Sequence, residues 1–184
     1  MKKLILSLFA LACLAGGTWS FVVGQIPAAA KVAASNAEIK WMSWEEAVKA
    51  SAKNPKKIFV DCYTDWCSWC KRMDATTFKD PAVVEQMNKQ FYAVKFNAEQ
   101  RENLVWRDHT FKYIASGNRG VHELAYSLLD GRLGYPSFVY LDEKFDRITI
   151  SPGYKQPDQI LKEMKWVGEN HYKTKSLEQF SGGH

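Results

Sequence analysis

An α/β domain with a mixed central sheet is the fold this 184-residue sequence predicts, and three stretches carry the expectation. The apolar, β-branched run Ile58 to Cys62 reads as a buried strand that gives way to a helix after Cys67, with Cys70 and Met73 following at three-residue steps. A second helix leads into another strand, Phe91 to Phe96, so strand, helix and strand form a right-handed parallel unit. Phe138 to Leu141, a turn from Asp142 to Asp146 and Arg147 to Ile150 then add antiparallel strands.

The chain is 46% hydrophobic, enough for one good core and too short for a second full domain. Its formal net charge is +5, yet Lys and Arg are scattered among nearly as many Asp and Glu, without the one-sided stripe that phosphate binding needs. Nucleic acid is therefore excluded as a partner, and a monomer is expected.

Met1-Lys2-Lys3 followed by Leu4 to Ala15 is a positive n-region and an apolar h-region, the pattern of a secretory signal. Apolar character continues to Val23, so residues 1–24 read as a signal peptide or a membrane anchor. Small residues at Ala28-Ala29-Ala30 and Ala33-Ala34 offer cleavage sites. Cys13 follows Ala10-Leu11-Ala12, close to a lipoprotein box but without its Leu, and reads as an h-region residue. Export implies a periplasmic or otherwise extracytoplasmic, oxidising compartment. Three cysteines remain beyond the leader, which suits one reactive pair plus one structural thiol.

Residues 25–40 lack apolar periodicity and read as a linker, leaving 41–168 as the domain and 169–184 as a short polar extension, with Trp166 and Tyr172 docking onto the domain. Ser43 and Glu46 fit a capping box for a helix running to Ala52, stopped by Asn54-Pro55. Lys57 to Cys62 is the first long strand. Asp80 caps the second helix with Pro81 at its first position. Between 99 and 120 an inserted β-hairpin is expected: Leu104 to Trp106, a turn at Arg107-Asp108-His109, and Thr110 to Ile114. It is either a partner surface beside the site or a cover for a sheet edge. A helix follows from Val121 to Leu129, and a last one from Pro157 turns Ile160, Leu161, Met164 and Val167 inward.

The chemistry concentrates at Trp66-Cys67-Ser68-Trp69-Cys70-Lys71. Unpaired N–H groups and the helix dipole stabilise a thiolate at a helix N-terminus, and thiol pKa values in Cys-x-x-Cys motifs fall to roughly 3.5–7.5. Cys67 is thus the attacking sulfur. Cys70, one turn further in and deeper, is the resolving one. Asp61, alone in an apolar strand, needs a proton or a partner to be buried there. Trp66 and Trp69 flank the nucleophile as an apolar rim, with one of them expected to be drawn into the core; Trp41, Trp44, Trp106 and Trp166 are packing residues.

Val60-Asp61 with Trp66 to Lys71 resembles the active-site segment of thioredoxin-fold proteins, most of all secreted bacterial thiol:disulfide oxidoreductases. The resemblance implies a thioredoxin fold and makes Asp61, six residues before Cys67, the proton acceptor for Cys70. It assigns Lys95, in Ala93-Val94-Lys95-Phe96-Asn97, a place beside Asp61, where its ammonium would hold the carboxyl's pKa down. It makes Tyr135-Pro136 a cis pair facing the cysteines, with the Tyr135 backbone binding an extended substrate segment, and keeps Gly153 near the site. No cofactor beyond the Cys67–Cys70 disulfide is implied, and the partners are protein thiols and disulfides with a membrane or periplasmic redox partner. Ser68-Trp69 replaces the Gly-Pro of thioredoxin itself, which leaves the direction of electron flow open; the acid at 61 favours a reductase.

Rival readings use the same sulfurs. Cys62, Cys67 and Cys70 match the spacing of a plant-type iron–sulfur site but want a fourth cysteine, and alternation turns Cys62 to the face opposite Asp61, where it reads as a buried small hydrophobe. Copper or zinc on Cys67, Cys70 and a His is the metal alternative, although His109, His122 and His171 lie at no ligand spacing. A cysteine hydrolase leaves Cys70 unexplained, and a non-catalytic interaction module leaves both unexplained.

Overall fold

The computed structural model describes residues 37–182. The leader, Cys13, the cleavage sites and most of the proposed linker lie outside the described residues. From Ile39 the chain is already part of the core. Lys40 N–H donates to Asn88 Oδ1 at 2.9 Å, and Asn88 Nδ2 returns a bond to Glu38 O at 2.9 Å.

A five-stranded mixed sheet is the centre of the fold. Its strands are β1 (Trp41–Met42), β2 (Lys57–Tyr63), β3 (Phe91–Asn97), β8 (Ser137–Leu141) and β9 (Arg147–Pro152), in the order β1-β3-β2-β8-β9. β1 and β2 both run parallel to β3, while β8 runs antiparallel to β2 and to β9. On one face lie α1 (Trp44–Lys53) and α4 (Glu123–Leu128), packed over Ile58, Val60, Cys62, Val94, Phe96 and Val139. On the other lie α2 (Ser68–Ala75), α3 (Pro81–Gln90) and α5 (Pro157–Gly168), over Phe59, Ala93, Phe138 and Tyr140. Successive strand residues alternate between faces, so Asp61 belongs to the α2 side and Cys62 to the α1 side.

The caps form as the sequence implies. Glu46 N–H donates to Ser43 Oγ at 3.1 Å and Ser43 N–H to Glu46 Oε2 at 2.8 Å, closing the capping box of α1. Asp80 Oδ1 accepts from Ala82 N and Val83 N at the start of α3, with Pro81 at its first position. Along α5, Ile160, Met164 and Val167 are fully buried and Leu161 is half-buried. Trp44 is buried, and Trp41, Trp106 and Trp166 are half-buried. Past α5, Trp166 Nε1 donates to Lys175 O at 2.8 Å and its ring meets Tyr172, before a short α6 (Leu177–Phe180).

The insertion departs from expectation. It contains two hairpins instead of one: β4 (Leu104–Trp106) with β5 (His109–Phe111), and β6 (Tyr113–Ser116) with β7 (Arg119–His122). The first turns on Arg107 and Asp108 alone, both at positive φ (49° and 62°), so His109 belongs to the returning strand. Neither is glycine, and the usual signal for such a turn is missing from the sequence. The second turns at Gly117-Asn118, so Arg119 to His122 is strand and the helix starts only at Glu123. His122 sets that start: its Nδ1 accepts the Leu124 N–H at 3.2 Å.

Candidate active site

β2 ends at Tyr63, and the chain turns through Thr64 to Trp66 before α2 begins at Ser68. Cys67 caps that helix, and its Sγ accepts the Cys70 N–H at 3.1 Å. The cap position offers a sulfur anion the free end of the helix and a backbone donor at once. Cys67 and Cys70 are joined in a disulfide, with Cα atoms 5.3 Å apart. Both are nearly covered, 4% and 3% exposed, so depth does not separate them as the sequence suggested. Position does: one sulfur caps the helix and the other lies in its first turn.

The parallel register of β2 and β3 sets Asp61 directly beside Lys95, and the antiparallel register sets Phe138 on its other flank. Lys95 Nζ donates to Asp61 Oδ2 at 2.6 Å and also to Asp74 Oδ1 from α2. The ammonium sits 5.0 Å from the ring centroids of Trp41 and Tyr63 and 5.5 Å from that of Phe78. A cavity of about 280 Å³, lined by Trp41, Asp74, Phe78 and Lys95 among others, opens beside it. Lys95 is therefore an enclosed ion-pair partner and not a solvated edge residue.

Asp61 is 1% exposed, and its Oδ1 has no partner among the described residues. Burial pushes its pKa up to about 6; the charge and hydrogen bond of Lys95 pull it down, and the Asp74 charge opposes Lys95. Lys95 thus holds the carboxyl's pKa down as the resemblance implied, but desolvation outweighs it. For Lys95 desolvation works downward, yet Asp61 and Asp74 prevail and keep its pKa raised.

The Tyr135–Pro136 peptide bond is cis, and Gly153 N–H donates to Pro136 O at 2.8 Å. Tyr135 meets the Trp66 ring edge-on at 6.0 Å. Trp66 and Trp69 are 50% and 52% exposed, so neither is drawn into the core. Trp69 lies against Tyr154, and the Arg72 guanidinium sits 5.7 Å from its ring.

Cys62 is fully buried in the apolar cluster of the α1 face. Burial and the neighbouring Asp61 charge push its thiol far above the ordinary range. His122 spends both ring nitrogens on backbone partners, Glu102 O and Leu124 N. Among the described residues no group of three or more His, Cys, Asp or Glu is placed to hold a metal ion.

Three residues at the site escaped the sequence reading. Asp74 lies four residues after Cys70, a spacing that puts it on the same helix face and could have flagged it. Glu99 and Arg119 gave no such signal, because only the folded insertion brings them to Trp66.

The family model Thioredox_DsbH, described as a protein of unknown function, DUF255, matches residues 30–155. The chain belongs to this thioredoxin-like family. A thioredoxin-fold protein from Helicobacter pylori is similar in structure, with a TM-score of 0.53 at 18% identity over 70% of this chain and 80% of that one. A DsbH oxidoreductase gives 0.51 at 16% identity, over 76% and 88%. In sequence, the thiol:disulfide interchange protein DsbD of Actinobacillus pleuropneumoniae is 26% identical over 123 residues, 66% of this chain. The chain spans less than a fifth of the length of the curated relatives it matches first. The fold is that of thioredoxin. Among the described residues no helix is long and apolar enough to cross a membrane.

Proposed function

We propose that the protein is a thiol:disulfide oxidoreductase that reduces disulfides of extracytoplasmic protein targets. One observation carries the reading: a disulfide spans the first turn of α2, with Cys67 as its cap, in a fold that also buries an acid whose Oδ1 has no partner among the described residues and whose pKa burial pushes up to about 6. In the reduced protein the Cys67 thiolate attacks one sulfur of the target disulfide. That bond breaks, a Cys67–target mixed disulfide forms, and the second target sulfur leaves as a thiolate that takes a proton. Cys70 then gives its proton to Asp61 and attacks Cys67 Sγ. The Cys67–Cys70 bond forms, the mixed disulfide breaks, and the target departs as a dithiol carrying the two electrons that the pair has lost. Reversal of these steps oxidises a dithiol.

Trp66, Trp69 and the Tyr135 backbone serve as the docking surface for the target, and Lys95 steadies the acid. The leader pattern at residues 1–24 supports a location outside the cytoplasm, where a membrane or periplasmic redox protein would re-reduce the pair. The mature protein is expected to catalyse insulin reduction by dithiothreitol, and Cys67→Ser is expected to abolish it. Full activity in that variant would remove the proposal. The reduction potential of the Cys67–Cys70 pair decides the direction, with a value near the roughly −270 mV of thioredoxin supporting a reductase and one near −120 mV an oxidant.

A further inference from the structure

Beside the disulfide, the insertion builds something that the exchange steps do not use. A groove of about 450 Å³ is lined by Trp66 and Tyr135, the residues that precede Cys67 and Pro136, together with Arg119 and Val121 of β7 and Leu133. Trp66 is held from three sides while half its surface stays open. Its indole N–H donates to the Glu99 carboxylate at 3.0 and 3.1 Å, the Arg119 guanidinium lies 4.2 Å from its ring centroid, and Tyr135 closes the edge. Leu133 is 46% exposed. A fixed, exposed aromatic ring next to open aliphatic surface is the makeup of a binding hot spot, because little side-chain freedom remains to be lost on docking.

Resting on the thiol–disulfide reading, we propose that this groove selects the target: it takes an aromatic or large aliphatic side chain flanking the target cysteine on an extended segment. The groove is continuous with the place where the target sulfur must arrive, since one wall is the residue before the attacking cysteine. Arg119 makes no ion pair with a carboxylate among the described residues. Its guanidinium is stacked on Trp66, and its N–H groups can meet the carbonyls of a segment lying across the ring. The insertion is thus a specificity element of the active site and not a cover for a sheet edge. Gly120 lets it form, since a Cβ there would collide with Ile114 O and the Tyr113 ring.

The test uses two peptides, each with one cysteine in a mixed disulfide with a chromogenic thiol. One has phenylalanine at the two positions on either side of the cysteine, and the other has serine there. The reduced protein is expected to react with the phenylalanine peptide about tenfold faster in kcat/KM, and Arg119→Ala combined with Leu133→Ser should remove most of that preference. Equal rates with the wild-type protein would overturn the inference, as would a preference that survives in the double variant. Versions of both peptides with serine in place of cysteine separate the groove from the chemistry, with binding followed by tryptophan fluorescence. Selective binding of the phenylalanine version by a protein that performs no exchange would support the groove and overturn the oxidoreductase reading.

Discussion

Asp61 and Lys95 are register partners across β2 and β3, 2.6 Å apart, and the carboxyl nevertheless holds its proton up to a pH of about 6. A carboxyl in that state can take a proton from a thiol at neutral pH and give it up again. The rate at which Cys70 resolves a mixed disulfide is expected to rise as pH passes through about 6 and then level off, with Asp61→Asn lacking this inflection. Stopped-flow measurement of target release between pH 5 and 8 checks it.

The same shift makes a stability prediction of definite sign. The folded pKa lies above the ordinary 3.8, so the favourable contribution is fully present below pH 3.8 and is lost as pH rises through about 6. Two pH units at about 1.4 kcal/mol each amount to roughly 3 kcal/mol for a group this buried. Relative to wild type, Asp61→Asn should gain roughly 2–3 kcal/mol of unfolding free energy between pH 4 and pH 7, read from urea denaturation at the two pH values. Parallel behaviour of the two proteins would refute the burial of an ionising acid.

Lys95 and Asp74 act on Asp61 with opposite signs. The Lys95 charge lowers the acid's pKa and the Asp74 charge raises it. Lys95→Met, whose side chain can fill the space among Trp41, Tyr63 and Phe78, should move the acid limb of the resolution rate to higher pH and slow the step several-fold at pH 7. Asp74→Asn should move the limb to lower pH. Shifts in the same direction would show that these residues serve packing alone.

What the sequence made legible follows from where the information sits. The capping box at Ser43, the Asp80-Pro81 helix start and the strand before Cys67 are local patterns, and each formed as read. Asp61 stood out as an acid alone in an apolar strand and Lys95 was found by resemblance, while their contact comes from a strand register that no local pattern encodes. The sign of the Lys95 effect on Asp61 was legible because a charge partner is visible in a motif, whereas the degree of desolvation that outweighs it is not. The second hairpin was lost because Asn118-Arg119-Gly120 looked like a helix approach, whereas Gly117 at positive φ turns the chain back into a strand there.

The two sulfurs differ in geometry, and that difference can be trapped chemically. Only Cys67 sits at the helix cap, so it should carry the covalent link to the target, and Cys70→Ser should accumulate a mixed disulfide that dithiothreitol releases. Non-reducing electrophoresis with mass spectrometry identifies the linked cysteine. Accumulation in Cys67→Ser instead would exchange the two roles.

Cys62 discriminates between redox and metal chemistry. It packs with Ile58 and Val60 beneath α1, on the sheet face opposite Asp61, and its thiol is held in the neutral form. Native protein should therefore resist alkylation at Cys62. Cys62→Ala should keep insulin reduction at a loss of about 1 kcal/mol in stability, the order expected for trimming a small buried group. Cys62→Ser should lose about 1–3 kcal/mol, because its hydroxyl would enter an apolar site with no hydrogen-bond partner. A cluster or metal centre sharing Cys62 predicts the reverse, with Cys62→Ala losing bound metal and function together, and metal analysis of both proteins made without chelator separates the two accounts.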